Sequence, residues 1–261
     1  MSAKTINRRD FIKLSMVGVA ATTVGVGFMG KESPVDEHES PHRWAMVIDQ
    51  SKCNGCGYCV NACSANNDVA PDKAWSRIIA TEPVGATEVY LPVPCMHCED
   101  APCVHICPVG ASYHRPDGIV MMDYDKCIGC RYCELACPYG ARSFNWETFE
   151  GDNPAVPSWG QPEVPRRPRG VVEKCSFCYQ RIDRGLEYGL TPGVDQAATP
   201  ACVVACPSGA RIFGDLNDPT SPVSVALANH TAYRLREDLG TEPRVYYLPV
   251  HEETSECLVE A

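Results

Sequence analysis

Sixteen of the seventeen cysteines in this 261-residue chain fall into four tight runs, and thiolates gathered in fours are ligands for metal. The first run is Cys53, Cys56, Cys59 and Cys63, spaced C-x2-C-x2-C-x3-C. The second is Cys95, Cys98, Cys103 and Cys107, with a four-residue central gap. The third, Cys127, Cys130, Cys133 and Cys137, repeats the spacing of the first. The fourth is split by an insert: Cys175 and Cys178, then Cys202 and Cys206. A cubane iron–sulfur cluster needs four thiolates converging from different sides. Three cysteines two residues apart sit on a tight loop that wraps one face of such a group. A fourth, three residues on, lies on the next helical turn and points away.

That last cysteine therefore serves a second cluster, as in two-cluster bacterial ferredoxins. Two runs make one module with two clusters, and four runs make two modules with four. Every ligand position is cysteine, so each cluster is expected to be [4Fe-4S]; no histidine stands in, as it would in a Rieske centre. A disulfide framework fits poorly, because neighbours in C-x2-C-x2-C cannot all find distant partners and a chain of this length does not need stapling. Structural zinc suits isolated C-x2-C pairs, and a zinc-binding structural or assembly module stays as the alternative reading. No C-x-x-C-H haem attachment site occurs. His97, inside a C-x-x-C pair, is read as a neighbour of a cluster or an exposed residue, not an iron ligand.

Elements must hold these loops. Cys107-Pro108-Val109-Gly110-Ala111, Cys137-Pro138-Tyr139-Gly140-Ala141 and Cys206-Pro207-Ser208-Gly209-Ala210 are three copies of C-P-x-G-A. Proline stops the short helix carrying the last cysteine, and glycine permits the turn after it. The first run lacks the motif, so its helix should run on to about Asn66-Asn67. Short apolar, β-branched runs at 44–49, 118–123 and 212–215 read as strands. The fold class expected is α+β: two bacterial-ferredoxin-like two-cluster modules with short hairpins, short helices and long loops, clusters replacing much of the apolar core. Two insertions stand out, 65–94 and 146–168, the second leading into Arg166-Arg167-Pro168-Arg169. Those arginines read either as a solvated loop or as a docking edge for an acidic partner.

A net charge of −10 argues against a nucleic-acid footprint, which would be basic. Residues 1–30 carry Arg8-Arg9 followed by Asp10-Phe11-Ile12-Lys13 and a mildly apolar stretch of small residues. This is similar to a twin-arginine export signal, which implies a periplasmic location. The stretch is shorter and less apolar than a membrane-spanning helix, and with no clear cleavage site it reads as a signal that is either removed or kept as an anchor. Twin-arginine export carries folded proteins, so thiolates would leave the cytoplasm already bound to iron. Residues 31–43 read as a polar linker, 44–250 as the double ferredoxin-like domain and 251–261 as a polar tail. The outer module would combine 44–64 with 171–215, and the inner module would span 92–145. Cys257, in the tail, reads as a free thiol, a lipidation site or an intersubunit site. No P-loop, Rossmann fingerprint or nucleophile elbow accompanies the cysteines. The chain therefore reads as a non-catalytic conductor of electrons within an oxidoreductase complex.

The four runs, the Cys95-to-Cys103 string with its four-residue gap, the split fourth run and the ending Leu239-Gly240-Thr241-Glu242-Pro243-Arg244-Val245-Tyr246-Tyr247 resemble the four-cluster ferredoxin subunits of the dimethyl-sulfoxide/polysulfide-reductase type. The resemblance covers about 44–249. Arg43 to Asp49, Asp117 to Asp123 and Tyr139 to Trp146 are most similar to the exported ferredoxin subunit of the membrane complex associated with dissimilatory sulfite reductase. The resemblance implies a pairing rule in which the first run shares clusters with the fourth, and the second with the third. One cluster would take Cys53, Cys56, Cys59 and Cys206, and a second Cys63, Cys175, Cys178 and Cys202. A third would take Cys95, Cys98, Cys103 and Cys137, and the last Cys107, Cys127, Cys130 and Cys133. It also implies partners: a multi-span quinone-interacting membrane subunit, and a molybdopterin catalytic subunit or a haem-containing subunit. The polar tail departs from the C-terminal membrane helix of formate-dehydrogenase subunits of this type, and disfavours that role.

Overall fold

Six consecutive buried residues, Trp44–Asp49, form the strand (β1) around which the chain is organised. The computed structural model describes residues 40–158 and 160–250. The segment read as an export signal, most of that read as a linker, and the tail with Cys257 lie outside the described residues. Strand β1 is buried on both faces because each is covered. Trp44, Met46 and Ile48 face the main core, which contains most of the cysteines. Ala45 and Val47 face a smaller cluster with Val223, Ala226 and Leu248. This period-2 division is what a strand imposes.

The remaining elements are short. In chain order they are α1 (Tyr58–Asn67), β2 (Arg77–Ala80), β3 (Tyr90–Val93), α2 (Pro102–His105), β4 (Ser112–His114) and β5 (Val120–Met122). There follow α3 (Tyr132–Ala136), β6 (Ser143–Phe144), β7 (Val172–Glu173), α4 (Tyr179–Glu187), α5 (Ala201–Val204), β8 (Arg211–Asp215), α6 (Pro222–Asn229) and β9 (Val245–Leu248). The architecture is mixed α+β. Strand β1 pairs antiparallel with β8 and parallel with β9. Strands β2–β3, β4–β5 and β6–β7 form antiparallel pairs. The strands flanking the first and last cysteine runs, far apart in sequence, are thus hydrogen-bonded neighbours. Helix α1 packs on α5, and α2 on α3. No helix among the described residues is long and apolar enough to cross a membrane.

The C-P-x-G-A repeats adopt one geometry. The N–H groups of Gly110, Gly140 and Gly209 each donate to the carbonyl of the motif's cysteine at 3.3 Å. This is a four-residue turn with proline in its second position and glycine in its fourth. All three glycines have positive φ, 64°, 58° and 65°. Ala111 and Ala210 then accept from the backbone N–H of Asp123 and Asp49, both at 2.7 Å. Each of these aspartates ends a stretch before a cysteine loop and pairs with the lysine three residues on, Lys126 at 3.0 Å and Lys52 at 2.9 Å. Helix α1, which has no proline after its last cysteine, continues to Asn67 and stops at Asp68 in the left-handed region (φ 44°).

The arginines after the long insertion are neither a solvated loop nor a free docking edge. Arg166 holds Asp68 through Nε and Nη2, at 2.9 and 3.0 Å, and lies over the Phe149 ring. Arg167 is buried, donates to the carbonyls of Asn67 and Asp68, and pairs with buried Glu173 at 2.6 Å. The reason is local: the end of α1 leaves carbonyls without intrahelical donors, and the insertion folds back to supply them. Of the three, only Arg169, bonded to the Trp146 carbonyl, is itself an exposed residue. Arg167→Ala should therefore strand the Glu173 carboxylate and cost about 3–5 kcal/mol, read as a drop in the denaturant midpoint at unchanged slope.

Candidate metal centres

All four runs place a left-handed residue two positions after their first cysteine: Gly55 (φ 71°), His97 (44°), Gly129 (70°) and Phe177 (53°). Such kinks turn successive backbone N–H groups to one side, forming an anion-binding concavity. Glycine does this without steric cost in the first and third loops. In the second and fourth, His97 and Phe177 accept the strained conformation. Both are buried, and their rings stack with centroids 3.7 Å apart. Their mutual packing offsets the backbone cost, which is of order 1–3 kcal/mol for a non-glycine residue.

The thiols gather in four groups. One cavity is lined by Cys95, Cys98, Cys103 and Cys137. Another is lined by Cys107, Cys127, Cys130 and Cys133. Cys63 lies close enough to Cys175, Cys178 and Cys202 for their charges to interact, and Asn67 Nδ2 is 3.7 Å from the sulfurs of both Cys63 and Cys178. Cys53 is in electrostatic reach of Cys59 and Cys206, and Cys56 lies on the loop between the first two. Burial is uneven. Cys56 and Cys130 are exposed, whereas Cys63, Cys175, Cys178 and Cys202 are all buried.

Electrostatics separates the groups further. Burial, then the neighbouring Cys95 thiol, pushes Cys98 up to about 12. Burial and Cys202 raise Cys178 to about 11. Cys107 and Cys206 move the other way. Burial opposes their thiolates, but the backbone N–H groups of their C-P-x-G-A loops, and for Cys206 the Ser208 hydroxyl, outweigh it. The repeated turn is thus a nest of donors around the last sulfur of its run.

The surroundings fit a sulfur-ligated anionic group. Val120 N–H donates to His97 Nδ1 at 3.1 Å, so the ring proton sits on Nε2, which is buried and has no protein acceptor. Burial, above all, keeps this ring neutral. Arg142 and Arg211 are 3% exposed and, among the described residues, neither pairs with a carboxylate. Arg142 Nη2 instead donates to Cys103 Sγ at 3.0 Å. Among the described residues no three His, Cys, Asp or Glu side chains meet closely enough for one ion; the thiols stand around spaces, not points. The sequence reading did not single out Arg142, Arg211, Lys174 or Asn67. An Ala-Arg pair following two of the three C-P-x-G motifs was the available signal. For His97, the structure selects the buried position beside the thiols over the exposed one.

Thiol-lined loops of this form define an iron–sulfur protein built from ferredoxin-like units. Two family profiles described as 4Fe-4S dicluster domains match residues 86–152 and 126–210, and a 4Fe-4S binding domain matches 44–65. A putative dimethyl sulfoxide reductase iron-sulfur subunit of Halobacterium salinarum is 43% identical, with 78% of each chain covered. The menaquinone reductase iron-sulfur cluster-binding subunit of Nitratidesulfovibrio vulgaris is 42% identical over 79% of this chain and 88% of its own. The Hdr-like menaquinol oxidoreductase iron-sulfur subunit 1 of Archaeoglobus fulgidus is 38% identical over 93% and 97%. The chain belongs to this family of iron–sulfur electron-transfer subunits, of the dimethyl-sulfoxide-reductase type and related complexes, and binds multiple [4Fe-4S] clusters.

Proposed function

We propose that this chain is a four-cluster wire open at both ends. Its ligand sets are Cys53, Cys56, Cys59 and Cys206; Cys63, Cys175, Cys178 and Cys202; Cys95, Cys98, Cys103 and Cys137; and Cys107, Cys127, Cys130 and Cys133. The observation that carries the reading is the burial sequence along these sets. Exposed Cys56 and Cys130 belong to the first and last sets, and the second set is buried throughout. Cys175 and Cys95 are electrostatic neighbours, which supports contact between the second and third sets. When bound, the clusters supply one-electron transfer, at potentials that span roughly −700 to +450 mV in such proteins. The polypeptide excludes water from the inner sets and presents the outer two to partners.

The outer module then comprises 44–64 with 171–215, and the inner module 92–145. The partner subunits are a multi-span quinone-interacting membrane protein and a molybdopterin or haem-containing subunit. Relatives named as subunits of a dimethyl sulfoxide reductase and of menaquinone-linked oxidoreductases support this assignment. An apolar rim around Cys130, with Ile128, Tyr132 and Leu135 exposed at 64%, 54% and 80%, suits a subunit contact. Arg8-Arg9 and the small-residue stretch after it support twin-arginine export to the periplasmic side of the membrane.

Purified protein should be brown and hold about 16 irons, by four clusters of four. It should also co-purify with a membrane subunit that reduces or oxidises it. A colourless protein containing zinc would overturn the reading in favour of a zinc-binding module.

A further inference from the structure

Three buried cations lie among the thiols, and among the described residues none of them pairs with a carboxylate. Arg211 follows Cys206 by five residues, as Arg142 follows Cys137. Their surroundings match. Arg142 donates to Cys103 Sγ at 3.0 Å, to the Ser112 hydroxyl at 2.6 Å and to Met122 Sδ at 2.9 Å. It also interacts electrostatically with the Cys133 thiol. Arg211 donates to the Ser76 hydroxyl at 2.8 Å and points at Met46 Sδ at 3.7 Å. It interacts electrostatically with the thiols of Cys202, Cys59 and Cys63. Lys174 is 1% exposed. Its ammonium donates to the carbonyls of Val120 and Cys175; burial lowers its pKa, and the thiols of Cys95, Cys175 and Cys103 oppose that shift.

Assigned to the ligand sets, the three positions form a series. Arg211 lies between the first and second sets, Lys174 between the second and third, and Arg142 between the third and fourth. We infer that these are positioning residues for electron transfer: one buried cation in each gap raises the reduction potentials of the two clusters flanking it. The inference rests on the ligand sets of the preceding section.

The physics is direct. Each electron arriving adds one unit of negative charge to a site already ringed by thiolates. A guanidinium stays protonated at any accessible pH. In a poorly screened interior its attraction for that charge is much stronger than in water. A buried arginine without a carboxylate is otherwise a large cost, so retaining two at one motif position points to the anionic groups as their counter-charge. The C-P-x-G-A loops bring their own N–H groups to Cys107, Cys137 and Cys206 in the same ligand sets, and hydrogen bonds to sulfur shift potentials in the same direction.

The test is a redox titration of the iron-loaded full chain, followed by electron paramagnetic resonance, on Arg142→Gln, Arg211→Gln and Lys174→Met. In each variant two of the four signals should titrate lower, with at least a tenfold rise in the oxidised-to-reduced ratio at fixed ambient potential, equivalent to 59 mV for one electron. The pattern is the signature: Arg142→Gln and Arg211→Gln should move complementary pairs, and Lys174→Met one member of each. Unmoved potentials with a full complement of iron, or the same pair moving in both arginine variants, would overturn the inference. Iron below four clusters in the unsubstituted protein would instead overturn the reading beneath it. Should a glutamine variant not load, the corresponding lysine variant decides. Retained charge should keep the potentials within twofold in that ratio, and a tenfold change there would show that charge is not what matters.

Discussion

Stripping the iron from this protein is expected to unfold it. The interior gives the reason. Cys59, Cys63, Cys95, Cys98, Cys103, Cys133, Cys175 and Cys202 belong to the main core, so removing the metal empties that core of its centre. Helices α2, α3 and α5 have only four or five residues, far below the length at which a helix holds in water. Arg142, Arg211 and Lys174 would be left buried among neutral thiols. Burial raises the neighbouring thiols Cys133, Cys175 and Cys202 above their ordinary range, so these would not supply thiolates to replace the lost counter-charge at neutral pH. Each uncompensated buried cation costs several kcal/mol, against about 5–15 kcal/mol of net stability for a domain. The two arginines, which cannot shed their protons, supply two such terms, comparable to the whole. Treatment with an oxidant and chelator should therefore bleach the visible absorbance and abolish the urea unfolding transition in the same step, since metal-binding energy here is folding energy. A bleached protein that kept a cooperative transition would contradict this account. Conversely, reloading at neutral pH must release the thiol protons, which a weakly buffered titration can follow.

Much of this was legible in the cysteine spacing, because a cluster dictates its own loop. The helix end at Asn67, the turns after Cys107, Cys137 and Cys206, and the strands near 44–49, 118–123 and 212–215 follow from proline, glycine and β-branched residues acting locally. Pairings between distant segments were harder. Strand β1 joins β8 and β9 across nearly the whole chain, and no short-range pattern encodes such a partner. The hairpins expected beside the loops exist for β4–β5, but β6–β7 closes only after an insertion of more than twenty residues. Helix α6 carried a readable start: Ser221 caps it, accepting from Ser224 N–H at 3.4 Å, with Pro222 in its first turn. The arginines of 166–169 were misleading because a charged run looks alike whether it meets solvent or folds back onto carbonyls. Arg142 and Arg211 were hidden for the opposite reason, since a single arginine after a glycine turn gives no hint that it points inward.

Replacing Cys63 should empty a cluster that its own run does not otherwise hold. Cys63 lies four residues from Cys59 on α1, close to one helical turn, and the spacing assigns it to a different cluster. The proposed ligand sets divide them. The Cys63 thiol couples electrostatically to Cys175, Cys178 and Cys202, and Cys59 to Cys53 as well as to Cys202. Asn67, one turn further on, reaches towards the sulfurs of Cys63 and Cys178 together. Cys63→Ala is thus expected to lower the iron content by about a quarter, one cluster of four, while the signal dependent on Cys53 and Cys59 persists. The functional loss should be larger than that fraction. The emptied set is an inner one, so electrons entering beside Cys56 would no longer reach Cys130, although either end still accepts them. Cys59→Ala should do the reverse, removing a terminal set and leaving the inner chain connected. Stopped-flow reduction of the two variants, read at each cluster signal, separates the outcomes. If Cys63→Ala and Cys59→Ala lost the same signal, both cysteines would serve one cluster, and the first run would not reach across to the fourth.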